Sequence, residues 1–301
     1  MKVVIPPHIS GFWYIIKHKD PLQTGSLGAG ITLSPPLVIT LSNKISDKVY
    51  INDVEVTLPP VKYALNNILK IPTTRRFAIK VSTNLGLGYG YGLSAAYTLG
   101  ATLLNMLINK DLITSRNQRV TLNEAGKIAH VAEVIHRTGY GDLMAELHGG
   151  GLVVRLKEGG PGYGIIDKIP VKYSIKVLTV ILKEPKHTKQ MLHEIGEKMK
   201  EKGMKLYKRF LNDPTIENFA DLAHEFSLVT GLMTSYEDQR IKEILKHHIS
   251  TGSVINYFIK KSILVIVAYK SLAEEIKNIL QMFFGKVNQF DLYLGSTLVV
   301  M

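Results

Sequence analysis

The chain has 301 residues, a formal net charge of +12 and no cysteine. These values exclude a disulfide scaffold, cysteine-ligated zinc, iron–sulfur clusters and thiol nucleophiles, and 46% hydrophobic against 21% charged residues excludes a disordered chain. The basic excess points to anionic partners, whether nucleic acid, a membrane surface or phosphorylated small molecules.

The N-terminal stretch Met1-Lys2-Val3-Val4-Ile5-Pro6-Pro7-His8 lacks a signal-peptide apolar region, so a cytoplasmic protein is expected. Val49 to Leu58 alternates around Asn52-Asp53, which predicts two short strands and a turn. Phe77–Val81 reads as a strand, followed by a glycine-dense loop and then Leu93–Ile108, apolar on every side like a buried helix. Thr121 and Glu124 have the spacing of a capping box that opens a helix running to about Arg137. Glycine returns from Gly139 to Gly164 around a strand, Leu152–Leu156. Val177–Leu182 is a strand that begins a second unit, which divides the chain into domains 1–170 and 171–301. Lys189–Leu211 is helical, and Asp213-Pro214 predicts a cap with proline at the first helical position. Ile216, Phe219, Leu222, Ala223, Phe226 and Val229 then recur at helical spacing. Ile263–Ala268 predicts a buried strand, Ala273–Phe284 a helix and Leu292–Val300 a final strand. The second unit thus reads as an α+β layer with helices on one sheet face. The longest apolar run, Ile263–Tyr269, is far too short for a bilayer, which requires roughly 20 residues.

Three features could carry chemistry. The first is the run from Asn84 to Ala96, in which Gly86, Gly88, Gly90 and Gly92 alternate between a strand and a helix. Such glycines let backbone N–H groups approach a ligand, and the helix N-terminus adds a positive dipole end, which suits phosphate. Ser94 in the first turn offers a hydroxyl to phosphate or magnesium. The plain alternative is a flexible turn. No Gly-Lys-Ser/Thr triplet occurs, so this is not a P-loop. Gly90 to Ala95 satisfies the dinucleotide pattern G-x-G-x-x-A, but no acid follows at the end of a next strand.

The second feature is the helix carrying His130, Glu133 and Arg137 within about 60° of arc, opposite a stripe of Ala125, Ile128, Ala132 and Ile135. It is either a cleft wall or a solvated face with a Glu133–Arg137 ion pair. The third is Thr138-Gly139-Tyr140-Gly141-Asp142, where Asp142 is either an Asx-turn residue or catalytic. Arg155 follows among apolar neighbours and is either an outward charge or an anion clamp.

Together these motifs resemble the GHMP kinase superfamily. Gly90-Tyr91-Gly92-Leu93-Ser94-Ala95-Ala96 is similar to the end of its phosphate motif, with Leu93 in place of the first serine, and Glu133, Asp142 and Gly149-Gly150 follow at matching spacing. Within the superfamily the likeness is to the archaeal pantoate kinase family. It rests on Ile5–Phe12, Asp20–Gly30, Ala129–Glu133, Thr138–Asp142 and Arg155 with Gly159–Gly162, covers most of residues 3–192 and weakens beyond. Two departures stand out. His8 occupies the region near Pro7 where the superfamily often places a lysine that pairs with the catalytic Asp. The C-terminal glycine motif is reduced to Ser250-Thr251-Gly252-Ser253.

The resemblance implies an α+β, two-domain GHMP kinase fold, with a ribosomal-protein-like N-terminal domain and a ferredoxin-like C-terminal domain. It implies transfer of the ATP γ-phosphoryl group to the terminal hydroxyl of pantoate, giving 4-phosphopantoate for coenzyme A synthesis. Gly86, Gly88, Gly90, Gly92 and Ser94 would hold the ATP phosphates, and Ser94 and Glu133 would hold magnesium (Mg2+). Asp142 would orient the hydroxyl or accept its proton, and Ser26, His130, Arg155 and Thr188 would contact the acceptor. The implied partners are ATP and pantoate, without nucleic acid or membrane, and a homodimer is left open. Alternatives are another GHMP kinase acting on homoserine, mevalonate or a sugar, and a basic nucleic-acid-binding module. Against the last, no basic stripe interleaves with aromatics. Nine Lys and Arg against four Glu fall within residues 182–210, so much of the excess charge lies on one amphipathic helix.

Overall fold

The glycine- and β-branched-rich first part builds β1 (Lys2–Ile5), β2 (His8–Ile16), β3 (Gly25–Ser34), β4 (Leu37–Ile45), β5 (Val49–Ile51) and β6 (Val54–Val56). The computed structural model describes residues 1–117, 119–185 and 188–300, and between 188 and 198 it describes the side chain of Met191 alone. The predicted hairpin is β5–β6, whose turn residues Asn52 and Asp53 take φ of 49° and 66°, the left-handed pair a tight hairpin requires. The chain continues through α1 (Pro59–Tyr63), β7 (Phe77–Val81), α2 (Leu93–Ile108), α3 (Lys110–Ser115) and α4 (Leu122–His136). It then forms α5 (Asp142–His148), β8 (Leu152–Lys157), β9 (Ile165–Ile169) and β10 (Ile175–Ile181). The last part contains α6 (Thr188–Asn212), α7 (Ile216–Thr230), α8 (Ser235–Ile244), α9 (Lys246–Ser250), β11 (Val254–Lys260) and β12 (Ile263–Tyr269), then α10 (Ala273–Phe284), β13 (Val287–Leu292) and β14 (Leu298–Val300).

One six-stranded sheet has the order β14-β1-β4-β7-β5-β6. α2 is buried between this sheet and α4, which explains why it carries no charged residue and no solvent-facing polar stripe. A second sheet runs β11-β12-β10-β13-β3-β8-β9, with β2 paired to β3. β13 joins β3 through Leu292↔Leu33 and Asp291↔Ser34, so strands from the first and last parts share one sheet.

β12 explains the longest apolar run. Ile263, Val265 and Val267 point into a core with Phe219, Ala223 and Phe226 of α7. Leu264, Ile266 and Ala268 point into a second core with Ile241 of α8 and Ile276 and Leu280 of α10. A strand covered on both faces is hydrophobic at every position. Helices therefore pack on both sides of this sheet, not on one face as the helix–strand order predicts.

Three further expectations change. Leu292–Val300 is not one strand: β13 ends at Leu292, and the following loop carries the Tyr293 carbonyl that accepts hydrogen bonds from the Gly150 and Gly151 N–H groups at 3.3 and 2.7 Å. α7 is capped by Thr215, whose side chain accepts from the Asn218 N–H, so Asp213-Pro214 lies outside the helix. Asp142 lies in the first turn of α5, not in a loop. Thr121 does cap α4, accepting from the Glu124 N–H at 3.2 Å.

α6 crosses β2 at Gly203, where a Cβ would collide with the Trp13 carbonyl oxygen. Helix propensity alone favours Gly203→Ala by about 1 kcal/mol, but a backbone clash costs about 1–3 kcal/mol. Gly203→Ala should therefore lower the thermal unfolding midpoint. Gly196→Ala, in the same helix with no described atom within 4 Å of the new Cβ, should raise it slightly.

Candidate active site

The glycine loop leaves β7 and enters α2 at Gly92, its N-cap. Gly88, Gly90 and Gly92 take φ of 90°, 124° and 75°, which L side chains rarely adopt. The loop is held from two sides. The His8 N–H donates to the Tyr91 carbonyl at 3.1 Å, and the Ser262 N–H donates to the Tyr89 carbonyl at 3.4 Å. Tyr91 points inward, its hydroxyl 2.7 Å from the Thr179 hydroxyl. A cleft of about 460 Å³ opens beside the loop, and Gly88, Gly90, Gly92, Ser94, Asp142 and Ser26 all line it. Gly86 is not among its lining residues; its backbone packs against the Tyr89 ring.

Asp142 sits at the opening of α5. His8, wholly buried at the start of β2, holds it by a 2.8 Å hydrogen bond between Nδ1 and Oδ1, and the Ser10 hydroxyl lies 3.4 Å from the same oxygen. Burial pushes the Asp142 carboxyl up. The hydrogen bond and electrostatic pull of His8, with the charges of Lys260 and Arg155, outweigh it and hold the group well below the usual carboxylate range. Burial depresses His8, against the pull of Asp142, so we assign a neutral imidazole that donates from Nδ1–H. His8 thus stands where the resemblance places a lysine, and the partnership with the acid survives the exchange.

Glu133 is buried beneath Ser94. Its Oε1 accepts from the Ser94 and Thr98 hydroxyls at 2.8 and 2.9 Å, and its Oε2 makes no hydrogen bond of standard geometry. Burial raises its carboxyl to about 7, with the Asp142 charge adding to the rise and the Ser94, Thr138 and Thr98 hydroxyls opposing it. Glu133 does not pair with Arg137, which is exposed at the left-handed C-cap of α4. The buried residues of α4 are Ala125, Gly126, Ala129, His130, Ala132 and Glu133, and Ile128 packs against the core; of the predicted stripe only Ile135 is exposed, and the buried face also takes in His130 and Glu133.

Arg155 is buried, and Leu156 faces solvent in its place, so the outward reading of Arg155 does not hold. Its Nε donates to the Ser26 carbonyl at 3.1 Å, and both terminal nitrogens lack partners. Burial lowers it to about 10, against the pull of Asp142 and Tyr207. Glycine makes room for it: a Cβ at Gly141 would lie 2.7 Å from Nε and one at Gly28 would lie 3.1 Å from Nη2. Ser26 and Gly141 line the cleft, and Arg155, which does not line it, packs against Gly141.

His130 is elsewhere. Its Nε2 is 2.8 Å from the Thr24 carbonyl, and its ring packs on Gly160, so it fixes the segment that leads into Ser26 and does not line the cleft. Thr188 begins α6, and its side chain lies outside the described residues. Ser250-Thr251-Gly252-Ser253 ends α9, with Thr251 and Ser253 hydroxyls 2.9 Å apart, away from the cleft.

Three cleft groups escape the sequence reading. Ser10 lies on β2 two residues after His8, which the resemblance singles out but which does not itself line the cleft. Lys260 and Lys261, which both line the cleft, come from the β11–β12 turn, and only a Lys-Lys-Ser break between two apolar runs signals them. A fourth group, Glu146, lies one turn after Asp142 in α5. It is wholly buried, neither carboxyl oxygen has a partner, and Oε1 abuts Gly92. Burial, with the Asp142 and Glu133 charges, pushes Glu146 well above the usual range.

The donors suit a hard cation. Glu133 Oε2 and Asp142 Oδ2 flank Gly139, where a Cβ would lie 3.0 and 3.7 Å from them, and the Ser94 hydroxyl adds a third oxygen. An all-oxygen set with few protein ligands matches magnesium, which keeps waters or takes phosphate oxygens. Among the described residues no group of three or more His, Cys, Asp or Glu forms a protein-only metal cage.

No family model matches the chain. It is 32% identical over 232 residues to the pantoate kinase of Methanocaldococcus jannaschii, across 76% of this chain and 80% of the relative. A solved structure described as a phosphotransferase related to the CoA biosynthesis pathway superposes with a TM-score of 0.76 at 26% identity, covering 99% of this chain and 98% of its own. Mevalonate-3-kinase from Thermoplasma acidophilum has the same fold, with a TM-score of 0.66 at 12% identity, covering 98% and 96%. No helix among the described residues is long and apolar enough to cross a membrane.

Glu146 makes a pH prediction. A carboxyl raised in the folded state contributes its stability fully below its unfolded value of about 4.3 and loses it as pH rises through the folded value. Glu146→Gln keeps the shape of the neutral acid without that loss. Melting curves from pH 5 to 8 should show the variant gaining on the wild type as pH rises, by up to about 1.4 kcal/mol per pH unit. A constant difference across the range would contradict a raised Glu146.

Proposed function

The chain belongs to the pantoate kinase family, and from that premise we propose how its residues divide the work of moving the ATP γ-phosphoryl group to the terminal hydroxyl of pantoate. Phosphoryl transfer passes through a loose transition state, so the protein's task is positioning and charge neutralisation. The observation that carries this reading is one cleft lined by the glycine loop, Asp142 and Ser94, with Glu133 bonded beneath Ser94.

Backbone N–H groups of the loop and the first turn of α2 hold the ATP phosphates. Ser94 and Glu133, with Asp142 alongside, would hold magnesium, which when bound neutralises charge on the phosphate oxygens. Asp142 accepts a hydrogen bond from the pantoate hydroxyl and aims its oxygen at the γ-phosphorus. So acidic a carboxylate is a weak base, so it orients the hydroxyl first. It receives the proton as the new O–P bond forms and the bond to the β-phosphate oxygen breaks. Arg155 offers its two unpartnered nitrogens to the pantoate carboxylate as a fork, and Ser26, whose carbonyl it bonds, lines the cleft. His130 acts one step back, positioning the segment before Ser26.

The direct test is ADP release by purified protein with ATP, magnesium and pantoate, homoserine, mevalonate or shikimate in parallel. Turnover with pantoate alone is expected, and turnover only with another acceptor would replace this reading. Asp142→Asn should lower kcat by about 10²–10⁴ while ATP still binds. Arg155→Ala should raise KM for pantoate by about 10–100-fold and leave KM for ATP nearly unchanged, as loss of a charged hydrogen-bonding pair requires. An equal rise in both constants would remove the carboxylate clamp.

A further inference from the structure

The β11–β12 hairpin turns in two residues, Lys261 and Ser262, between the paired Lys260 and Ile263. Two-residue hairpins favour glycine or asparagine at positive φ, yet Lys261 takes φ of 52°. Strain of this kind persists where the surrounding structure over-determines it, and it gathers at functional sites. The hairpin tip is seated on the glycine loop: besides the Ser262–Tyr89 hydrogen bond, a Cβ at Gly90 would lie 3.1 Å from both Cγ and the carbonyl oxygen of Lys260. Lys260 is only 7% exposed. Its ammonium sits 3.2 Å from the centre of the Trp13 ring on β2, and no ion pair reaches it among the described residues.

A buried ammonium needs a countercharge, and an aromatic face replaces only part of its lost hydration. Asp142 attracts Lys260, but its Oδ1 is already bonded to His8. Arg155 packs against Gly141 and bonds the Ser26 carbonyl, and its positive charge adds to the strain on Lys260 rather than relieving it. The cleft beside the glycine loop therefore holds one buried cation stacked on a ring and no anion committed to it.

We propose that Lys260 is the cation that binds the transferring phosphate, resting on Trp13 in the free enzyme and leaving the ring for the nucleotide, with Lys261 flanking it. The inference builds on the kinase reading above. It places on the C-terminal hairpin the charge that the resemblance expects near Pro7, where neutral His8 stands. Burial, reinforced by Lys261 and Arg155, pushes the Lys260 ammonium well below its ordinary range, and a phosphate anion beside it would restore the proton's hold.

Trp13 is the sole tryptophan of the chain, so its emission reports the ring's partner. Adding ATP to the wild type should change the emission as the cation departs. In Lys260→Met the unliganded spectrum should already differ, and the ATP-induced change should be lost. The variant's kcat should fall by about 100-fold or more, the scale of losing one preorganised charge partner of the transition state, with KM for pantoate within about threefold of wild type. Lys260→Arg, which keeps a cation able to stack on the ring, should recover at least about tenfold of that loss. Lys260→Gln serves the same comparison if the methionine variant does not fold. A folded Lys260→Met that keeps wild-type turnover, or keeps the ATP-induced change, overturns the assignment of Lys260. A wild type inert toward pantoate overturns the kinase reading.

Discussion

The 2.8 Å hydrogen bond from His8 to Asp142 joins the first long strand to the opening turn of α5, 134 residues away, and the rest of the site is arranged around it. His8 needs glycine at position 30, because a Cβ there would collide with its Nε2. Its backbone N–H anchors the glycine loop through Tyr91. A neutral imidazole fixes the carboxylate's direction without placing a full positive charge on it. A lysine at this point would neutralise the acid more strongly but aim it less narrowly, since an ammonium is a rotatable point charge. Asp142 stays ionised because dipole and distant cations combine, and it can still receive a hydroxyl.

Around this bond the buried charges divide by sign. Glu133 and Glu146 are pushed up toward their neutral forms, Arg155 and Lys260 are pushed down, and each retains an atom or charge without a committed partner. Such an arrangement costs stability in the free protein, and perturbed groups of this kind gather where ligands complete them. Glu133 and Asp142 flank Gly139, where a cation fits, and Lys260 lines the cleft while Arg155 packs behind its lining residue Gly141. Part of the net charge of +12 is a different matter: nine Lys and Arg against four Glu fall within residues 182–210, and such a basic excess can steer anions from a distance.

Elements with a local cause could be read from the sequence. The uncharged, largely apolar α2 declared a buried helix, Thr121 declared the start of α4, and Asn52-Asp53 declared a hairpin. Asp142, Ser94, Glu133 and the loop glycines stood out because glycine spacing flags close backbone approach. What could not be read depends on tertiary partners. Arg155 turns inward because β8 is sandwiched and Gly28 and Gly141 leave it space, which no strand alternation encodes. α5 begins at Asp142 in a stretch whose glycines suggest a loop. β13 and β14 separate because the residues between them leave the strand to bond Gly150 and Gly151. Lys260 reaches the cleft only because the β11–β12 hairpin tip seats on the glycine loop far away in sequence, and it sits in no pattern with chemical meaning of its own; the bond from His8 to Asp142 likewise depends on the fold.

The central claim, that His8 keeps Asp142 ionised and aimed, is tested most directly by titrating the Asp142 carboxyl with carbon-13-labelled aspartate. Its resonance would be assigned by subtracting the Asp142→Asn spectrum, in wild type and in His8→Ala. The account predicts that in the wild type Asp142 titrates below the ordinary aspartate value of about 3.9 and that removing the imidazole moves it upward. A wild-type Asp142 titrating at or above that value, or one indifferent to His8→Ala, would contradict it.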